Sequence, residues 1–191
     1  MKRFAIVTGI LALAAPLAMA QTSTWISDPN HSEVDFSITH LTISNVHGRF
    51  GNVAVTLVLN EADVTKSTVT ATIGVDTVDT GVDRRNNHLK TPDFFDAANL
   101  PLATFTSTSV AKSANGLTVS GSLTPHGVTK PVVLVVEGPT GPIQGMDHKQ
   151  HAGYSATTTL SRSAFGIGPK FPPTMVGDEV KVNIEVDVAK Q

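Results

Sequence analysis

The fold is decided by an alternating stretch near the end of the chain, Val180-Lys181-Val182-Asn183-Ile184-Glu185-Val186-Asp187-Val188. Aliphatic residues occupy every second position, and charged or amide side chains stand between them. Successive side chains of a β-strand point to opposite faces, so this spacing predicts a strand with one buried and one solvent-exposed face. The same alternation recurs at residues 33–39, 53–59, 68–75, 117–123 and 132–136. The chain is therefore predicted to be all-β and antiparallel.

Turn signals separate these strands, and no long run of helical periodicity competes with them. Asn115-Gly116 joins two alternating runs and favours a hairpin, because both residue types tolerate positive φ. Gly138-Pro139 and Gly141-Pro142 indicate another loop. About eight strands at this spacing are typical of a closed barrel or a sandwich, and alternation alone does not distinguish the two.

The segment near residues 80–99 lacks alternation and is predicted to be a short helical insert. Asp83 to Lys90 is polar and suits a helix, and Thr91-Pro92-Asp93 resembles the start of another one. Phe94 and Phe95 follow as a pair. Two interpretations stay open: the rings form a lid or plug at a barrel mouth, or they only complete the core.

Residues 1–20 have the features of a cleavable export signal. Lys2-Arg3 is followed by an apolar run of about a dozen residues and by Ala18-Met19-Ala20, the small-x-small pattern of a cleavage site. The apolar run is shorter than the roughly 20 residues that a membrane-spanning helix needs. We expect a periplasmic protein, with one domain at residues 21–191 and no transmembrane segment in the mature chain.

Composition excludes several kinds of function. Without the signal segment, 12 basic residues face 16 acidic ones and do not cluster, so nucleic acid is not an expected partner. There is no cysteine, which excludes disulfides and thiolate chemistry. The seven histidines lack the spacing of a preformed metal site, and no nucleophile elbow occurs. We therefore expect no metal, no cofactor and no catalytic residues.

His40 stands out because it falls in phase with Phe36 and Ile38, on the apolar face of its predicted strand. An inward imidazole is usually a satisfied core group. In a hollow barrel it would instead contact a ligand's head group. Both interpretations stay open.

Several motifs, in order along the whole mature chain, resemble the YceI-like family of periplasmic polyisoprenoid-binding proteins. The most distinctive are DPNHS at 28–32, VHGRF at 46–50, HLKTPDFFD at 88–96 and SRSAFG at 161–166. Pro125-His126 departs from the family pattern, and proline there suggests that the strand before it ends at Thr124.

The resemblance implies a lipocalin-like barrel that holds an isoprenoid lipid, such as a polyprenyl diphosphate or a quinone tail, or a similar long-chain amphiphile. The expected role is non-catalytic binding, transport or storage. The residues expected to form the tunnel wall or plug are Phe36, Ile38, His40, Phe50, Phe94, Phe95, Phe105 and Phe165. The head-group candidates are Arg49, Arg84 and Arg162, although Arg49 and Arg162 also suit a structural role that ties loops together.

Two other functions are weighed beside this one. An enzyme acting on an amphipathic lipid would use His40 or His31 as acid or base. An envelope-stress interaction module would have a barrel packed solid and no cavity. Oligomeric state stays open: a closed barrel needs no partner for its strand edges, and a homodimer through mouth residues remains compatible.

Overall fold

The computed structural model describes residues 21–191, so the predicted export signal lies outside the described part of the chain. Antiparallel strands dominate this part, as the alternation predicts. The ten strands are β1 Thr22–Ser27, β2 Glu33–His40, β3 Ser44–Phe50, β4 Val53–Asn60, β5 Thr68–Gly74, β6 Leu102–Ser113, β7 Gly116–Thr124, β8 Lys130–Gln144, β9 Gln150–Ser161 and β10 Val176–Lys190.

Eight of these strands close into a barrel, in the order β1-β4-β5-β6-β7-β8-β9-β10, with β10 returning to β1. The other two strands extend the wall. Along one edge, β10 pairs first with β2 and then with β1. On their other edges, β2 pairs with β3 and β1 pairs with β4. The prediction of about eight strands is confirmed, because β1 with β2 and β3 with β4 each act as one interrupted strand.

The apolar faces predicted by alternation all point inward. In β10, Val180, Val182, Ile184, Val186 and Val188 line the interior. The intervening Lys181, Asn183 and Glu185 are exposed, and Asp187 is half-buried. A closed barrel has an inside that water does not reach freely, so one face of every strand is buried without a second sheet.

The insert between β5 and β6 contains one short α-helix, α1 Asp83–Leu89, close to the predicted Asp83 to Lys90. The second helix suggested by Thr91-Pro92-Asp93 does not form. Residues 91–99 make successive turns, in which the Phe94 and Asp96 amides donate to the Thr91 carbonyl. The prediction of a short polar helix is confirmed, and the predicted start of another helix is wrong.

Two turn predictions need correction. The β6–β7 hairpin forms, but Ala114-Asn115 makes the turn and Gly116 already belongs to β7. The Gly138-Pro139 and Gly141-Pro142 pairs lie inside β8 rather than in a loop. They fall at register shifts in the β8–β9 pairing, and Gly138 and Gly141 adopt positive φ there. The pairing with β9 is thus irregular at these residues but continues beyond them. As predicted, β7 ends at Thr124.

The barrel has two ends, which we name by their connections. The insert end carries residues 75–101 and the β9–β10 connection, residues 162–175. The hairpin end carries residues 61–67, the β6–β7 turn and the β8–β9 turn. Among residues 21–191, no helix is long and apolar enough to cross a membrane.

Candidate ligand-binding cavity

The barrel encloses an apolar cavity of about 300 Å³. This volume lies at the lower end of the range typical of small-molecule pockets. All barrel strands except β1 contribute to the wall, together with β2 and β3, and they do so mostly with valine, leucine, isoleucine and phenylalanine. The wall residues with polar side chains are Ser67, Tyr154, Thr158 and Arg162. The cavity contradicts the solid-barrel alternative, which required none.

The cavity is long and narrow. In β10 alone its wall runs from Val176 to Val188, twelve residue steps that correspond to about 40 Å along the strand. With the usual strand tilt of a barrel, this is about 30 Å along the axis. A volume of about 300 Å³ spread over that length suits an extended chain better than a compact ring system.

Seven of the eight residues expected in the wall do line the cavity. They are Phe36, Ile38, Phe50, Phe94, Phe95, Phe105 and Phe165. Phe94, Phe105 and Phe165 are buried in one core cluster. Their contact with a ligand stays a prediction, but their position in the wall is now given by the fold.

His40 is the exception, and its expected inward placement is wrong. It is exposed and is not among the residues that line the cavity, although it is in phase with Phe36 and Ile38. β2 ends at His40, and its partners Ser44 and Val176 are the first residues of β3 and β10. The imidazole therefore lies at the rim, where the apolar face of the strand has already ended.

Aromatic contacts join the wall to the insert. The ring centroids of Phe36 and Phe50 are 5.5 Å apart, and those of Phe50 and Phe95 are 5.4 Å apart in an edge-to-face arrangement. Gly48 makes room for the Phe36 ring, because a Cβ there would lie 2.7 Å from Phe36 Cε1 and 2.8 Å from Thr80 Cγ2. The glycine in VHGRF thus has a packing role that the sequence did not reveal.

The insert closes its end of the barrel. Phe94 stacks on Phe171 of the β9–β10 connection, with ring centroids 4.9 Å apart, and His88 packs edge-on against both rings. Phe94 and Phe95 line the cavity and also pack on core clusters. The two interpretations of this pair are therefore compatible: the rings plug the mouth and complete the core.

Arg162 is a structural residue and not a free head-group ligand. Its side chain is buried, at 4% exposure, although it reaches the cavity wall. All five N–H donors of the guanidinium are used. They donate to the carbonyl oxygens of Ile167, Gly168, Phe171, Val176 and Gly177 at 2.5–3.0 Å. The head-group prediction for Arg162 is wrong, because no donor remains, and the alternative of an arginine that ties loops together is right.

The other two predicted head-group arginines lie on the outer surface. Arg49 is 62% exposed and approaches Glu33 and Asp79 at 3.9–4.0 Å, where it connects β3 to the insert. Arg84 is exposed on α1. Neither residue lines the cavity, so the expected contact of Arg49 or Arg84 with a head group at the barrel mouth stays a prediction. β3 has outward positions at every second residue, and Arg49 occupies one of them.

Histidine–aspartate pairs occur on the surface and not in the cavity. His31 Nδ1 lies 3.0 Å from Asp28 Oδ2, and this contact raises the pKa of His31 and lowers that of Asp28. His151 lies between Asp187, at 2.8 Å, and Asp147, at 3.1 Å, which together raise its pKa. None of these five residues lines the cavity. The arrangement gives no support to an acid–base mechanism acting on a lipid inside the barrel.

A further surface pair lies beside the plug. His88 Nε2 is 3.2 Å from Asp93 Oδ2, and Lys170 Nζ lies 2.6 Å from Asp93 Oδ1. Lys170 and then His88 lower the pKa of Asp93. Across residues 21–191, no cluster of three histidine, aspartate or glutamate side chains is arranged to hold a metal ion.

Together, the closed antiparallel strands and the apolar interior define a hollow β-barrel of the kind that encloses a small ligand. Comparison with known families then places the chain more closely. The model of the YceI-like domain matches residues 25–188, and the chain belongs to the YceI-like family.

Individual relatives agree with this assignment. Protein YceI of Salmonella newport is 35% identical over 165 residues, which cover 84% of this chain and 83% of that protein. The crystal structure of the Campylobacter jejuni YCEI protein is similar at a TM-score of 0.71 and 32% identity, covering 81% of this chain and 90% of that one. A polyisoprenoid binding domain from Saccharophagus degradans shares the fold at a TM-score of 0.63 and 16% identity, covering 90% and 100%.

Proposed function

We propose that this protein is a non-catalytic carrier or store for an isoprenoid lipid in the periplasm. The chain would be exported by its first twenty residues and released by cleavage after Ala20. The ligand would be a polyprenyl diphosphate, a quinone tail or a similar long-chain amphiphile held along the barrel axis.

The observation that carries this proposal is the long apolar cavity. An apolar cavity costs about 24 cal/mol per Å³ when it is left unfilled. For about 300 Å³ this amounts to about 7 kcal/mol, which is comparable to the whole net stability of many domains. A branched hydrocarbon chain would recover much of this cost, since burial of each carbon group contributes about 0.8 kcal/mol.

The fold is also one that carries such ligands elsewhere. The Saccharophagus degradans domain of the same fold is a polyisoprenoid binding domain. In this chain, the cavity wall offers hydrocarbon side chains from both ends of the barrel, which matches a long apolar chain and no polar substrate.

A non-catalytic role is supported by the chemistry of the wall. General acid–base catalysis needs a titratable side chain within hydrogen-bond reach of the reacting atoms. Arg162 and Tyr154 are the titratable residues of the wall, and the guanidinium of Arg162 is fully engaged by carbonyls. His40 and His31, the candidates for an enzyme, lie outside the cavity.

Two variants of matched chemistry test the proposal. Ala71 lines the cavity in β5, so Ala71→Phe should fill part of the tunnel while the wall stays apolar. Ala54 is exposed on the outer face of β4, so Ala54→Phe adds the same ring outside.

The readout is native mass spectrometry of protein purified from periplasm, together with thermal unfolding to verify that each variant folds. We expect wild type and Ala54→Phe to carry a lipid, and Ala71→Phe to lose at least nine-tenths of it. A wild-type protein that arrives without lipid and takes up neither polyprenyl nor quinone ligands would refute the proposal. Equal loading of both variants would show that the lipid is held elsewhere.

A further inference from the structure

The cavity wall contains four polar side chains, and three of them already have hydrogen-bond partners. The Ser67 hydroxyl accepts a backbone N–H at 3.0 Å, and the Thr158 hydroxyl donates to a backbone carbonyl at 2.9 Å. Arg162 has no donor left. The fourth is Tyr154, and its hydroxyl makes no hydrogen bond with any of residues 21–191.

The Tyr154 hydroxyl is accessible and not sealed in the core. In the described part of the chain, no buried side-chain nitrogen or oxygen lacks a hydrogen-bond partner. The unpaired Tyr154 hydroxyl therefore keeps some accessible surface, at which a ligand would be its hydrogen-bond partner. A tyrosine ring in an apolar wall keeps its polar end for such a partner, since an unsatisfied hydroxyl is costly once water is displaced.

The tyrosine lies toward the hairpin end of the tunnel. It is the fifth residue of β9, two positions after Ala152, and packs between the main core cluster and the cluster that contains Trp25 and Val188. Burial raises the pKa of Tyr154, and the negative charge of Glu61 raises it further. The phenol therefore stays protonated at physiological pH and acts as a hydrogen-bond donor.

The charged groups nearest Tyr154 are already paired with each other. Glu61 pairs with Lys190 at 3.3 Å, and the Lys190 ammonium lies 5.6 Å from the centroid of the Trp25 ring. The lysine is thus already committed to a carboxylate and an aromatic face. Arg162, the cation of the wall, reaches the opposite end and is fully used. An anionic head group would meet no uncommitted cation of the wall.

We propose that Tyr154 is the polar anchor of the tunnel: its hydroxyl donates a hydrogen bond to an uncharged oxygen on the ligand's head. The head then lies toward the hairpin end, and the apolar chain runs toward the phenylalanine plug of the insert. Tyr154 selects for a neutral oxygen-bearing head over a bare hydrocarbon or a diphosphate. This inference rests on the proposed function and adds the residue that sets its specificity.

Three probes with the same chain test the anchor: farnesol, the hydrocarbon farnesene and farnesyl diphosphate. Wild-type protein should bind farnesol about two- to tenfold more tightly than farnesene, as expected for one hydrogen bond. Tyr154→Phe should bring this ratio to about one and leave farnesene affinity unchanged. Thr157→Val removes an exposed hydroxyl three residues further along β9 and should preserve the wild-type ratio.

The outcomes separate the two proposals. Failure of wild type to bind any of the three probes would overturn the proposed function. If the probes bind and Tyr154→Phe keeps the preference for farnesol, the anchor is wrong while lipid binding stands. Tightest binding of farnesyl diphosphate by wild type would also overturn the anchor.

A spectroscopic signal reports the same contact directly. The chain has a single tyrosine, so phenolate absorbance during an alkaline titration follows Tyr154 alone. A hydrogen bond to the ligand stabilises the neutral phenol, and farnesol should therefore raise the titration midpoint more than farnesene does. Equal midpoints with the two ligands would contradict the hydrogen bond.

Discussion

Replacement of Arg162 by methionine keeps an apolar stem in the wall and removes a guanidinium that holds the β9–β10 connection. Five backbone carbonyls of residues 167–177 accept hydrogen bonds from this one group. Without these hydrogen bonds, carbonyl groups at the insert end lose their partners, at a site where Arg162 is only 4% exposed. We therefore expect a large loss of stability, caused by the unpaired carbonyls and not by the loss of a charge pair.

The size of the effect follows from the number of bonds. A net value of about 1 kcal/mol for each of five bonds gives about 5 kcal/mol, and hydrogen bonds to charged groups are worth more. Water can satisfy some of the released carbonyls, because the neighbouring residues 169 and 170 are exposed. We therefore expect Arg162→Met to lower the free energy of unfolding by about 3–5 kcal/mol.

Urea unfolding, followed by the fluorescence of the single Trp25, measures this change. Arg84→Met is the matched control, because Arg84 is exposed on α1 and its loss should change stability by less than about 0.5 kcal/mol. Arg162→Lys offers one ammonium with three donors and should recover only part of the loss. If the free energy of unfolding of Arg162→Met lies within about 1 kcal/mol of the wild-type value, the guanidinium does not hold this connection in place.

Two further predictions concern packing and pH. Gly121→Ala should destabilise the protein by about 1–3 kcal/mol in thermal or urea unfolding, because the added Cβ would overlap the Phe105 ring. Gly51→Ala is the control, since there is open space at Gly51, and similar losses of stability in the two variants would refute the packing argument. The pKa of His151 in an NMR titration should lie above the usual 6.5 of histidine, and Asp187→Asn should lower it. Since the pKa is raised in the folded state, the contribution of His151 to stability is complete below pH 6.5 and is lost as the pH rises through the pKa of the folded state.

Alternation predicted the strands whose inner positions are strongly aliphatic, and it passed over others. β9 was not recognised, because its inward residues include Ala152, Tyr154, Ala156 and Thr158, which give little contrast with the outward threonines. β1 and β3 were passed over because their two faces also differ little: Trp25 and Ile26 stand side by side among hydroxyl residues in β1, and Gly48 shares the inner face of β3 with Phe50. Local sequence reveals a strand only when its two faces differ in hydrophobicity.

Head-group residues were hard to predict for a related reason. A motif shows that an arginine is present but not which way it points or what it already binds. Arg49 is outward by the parity of β3, and Arg162 is inward but fully satisfied by carbonyls of a connection up to 15 residues away. Tyr154 carried no motif at all. Its interest arises from a missing hydrogen bond, which only three-dimensional contacts can reveal.

The sequence by itself determined that the described chain is antiparallel β-structure with one apolar face, because a period of two in hydrophobicity suits no other secondary structure. Its motifs also indicated the YceI-like family and an insert with paired phenylalanines. Tertiary structure decided that the apolar faces enclose a long cavity and that the insert plugs one end. It also decided which polar groups of the wall remain free. These features depend on closure of the β1–β10 edge and on contacts between distant residues, and no local period specifies them.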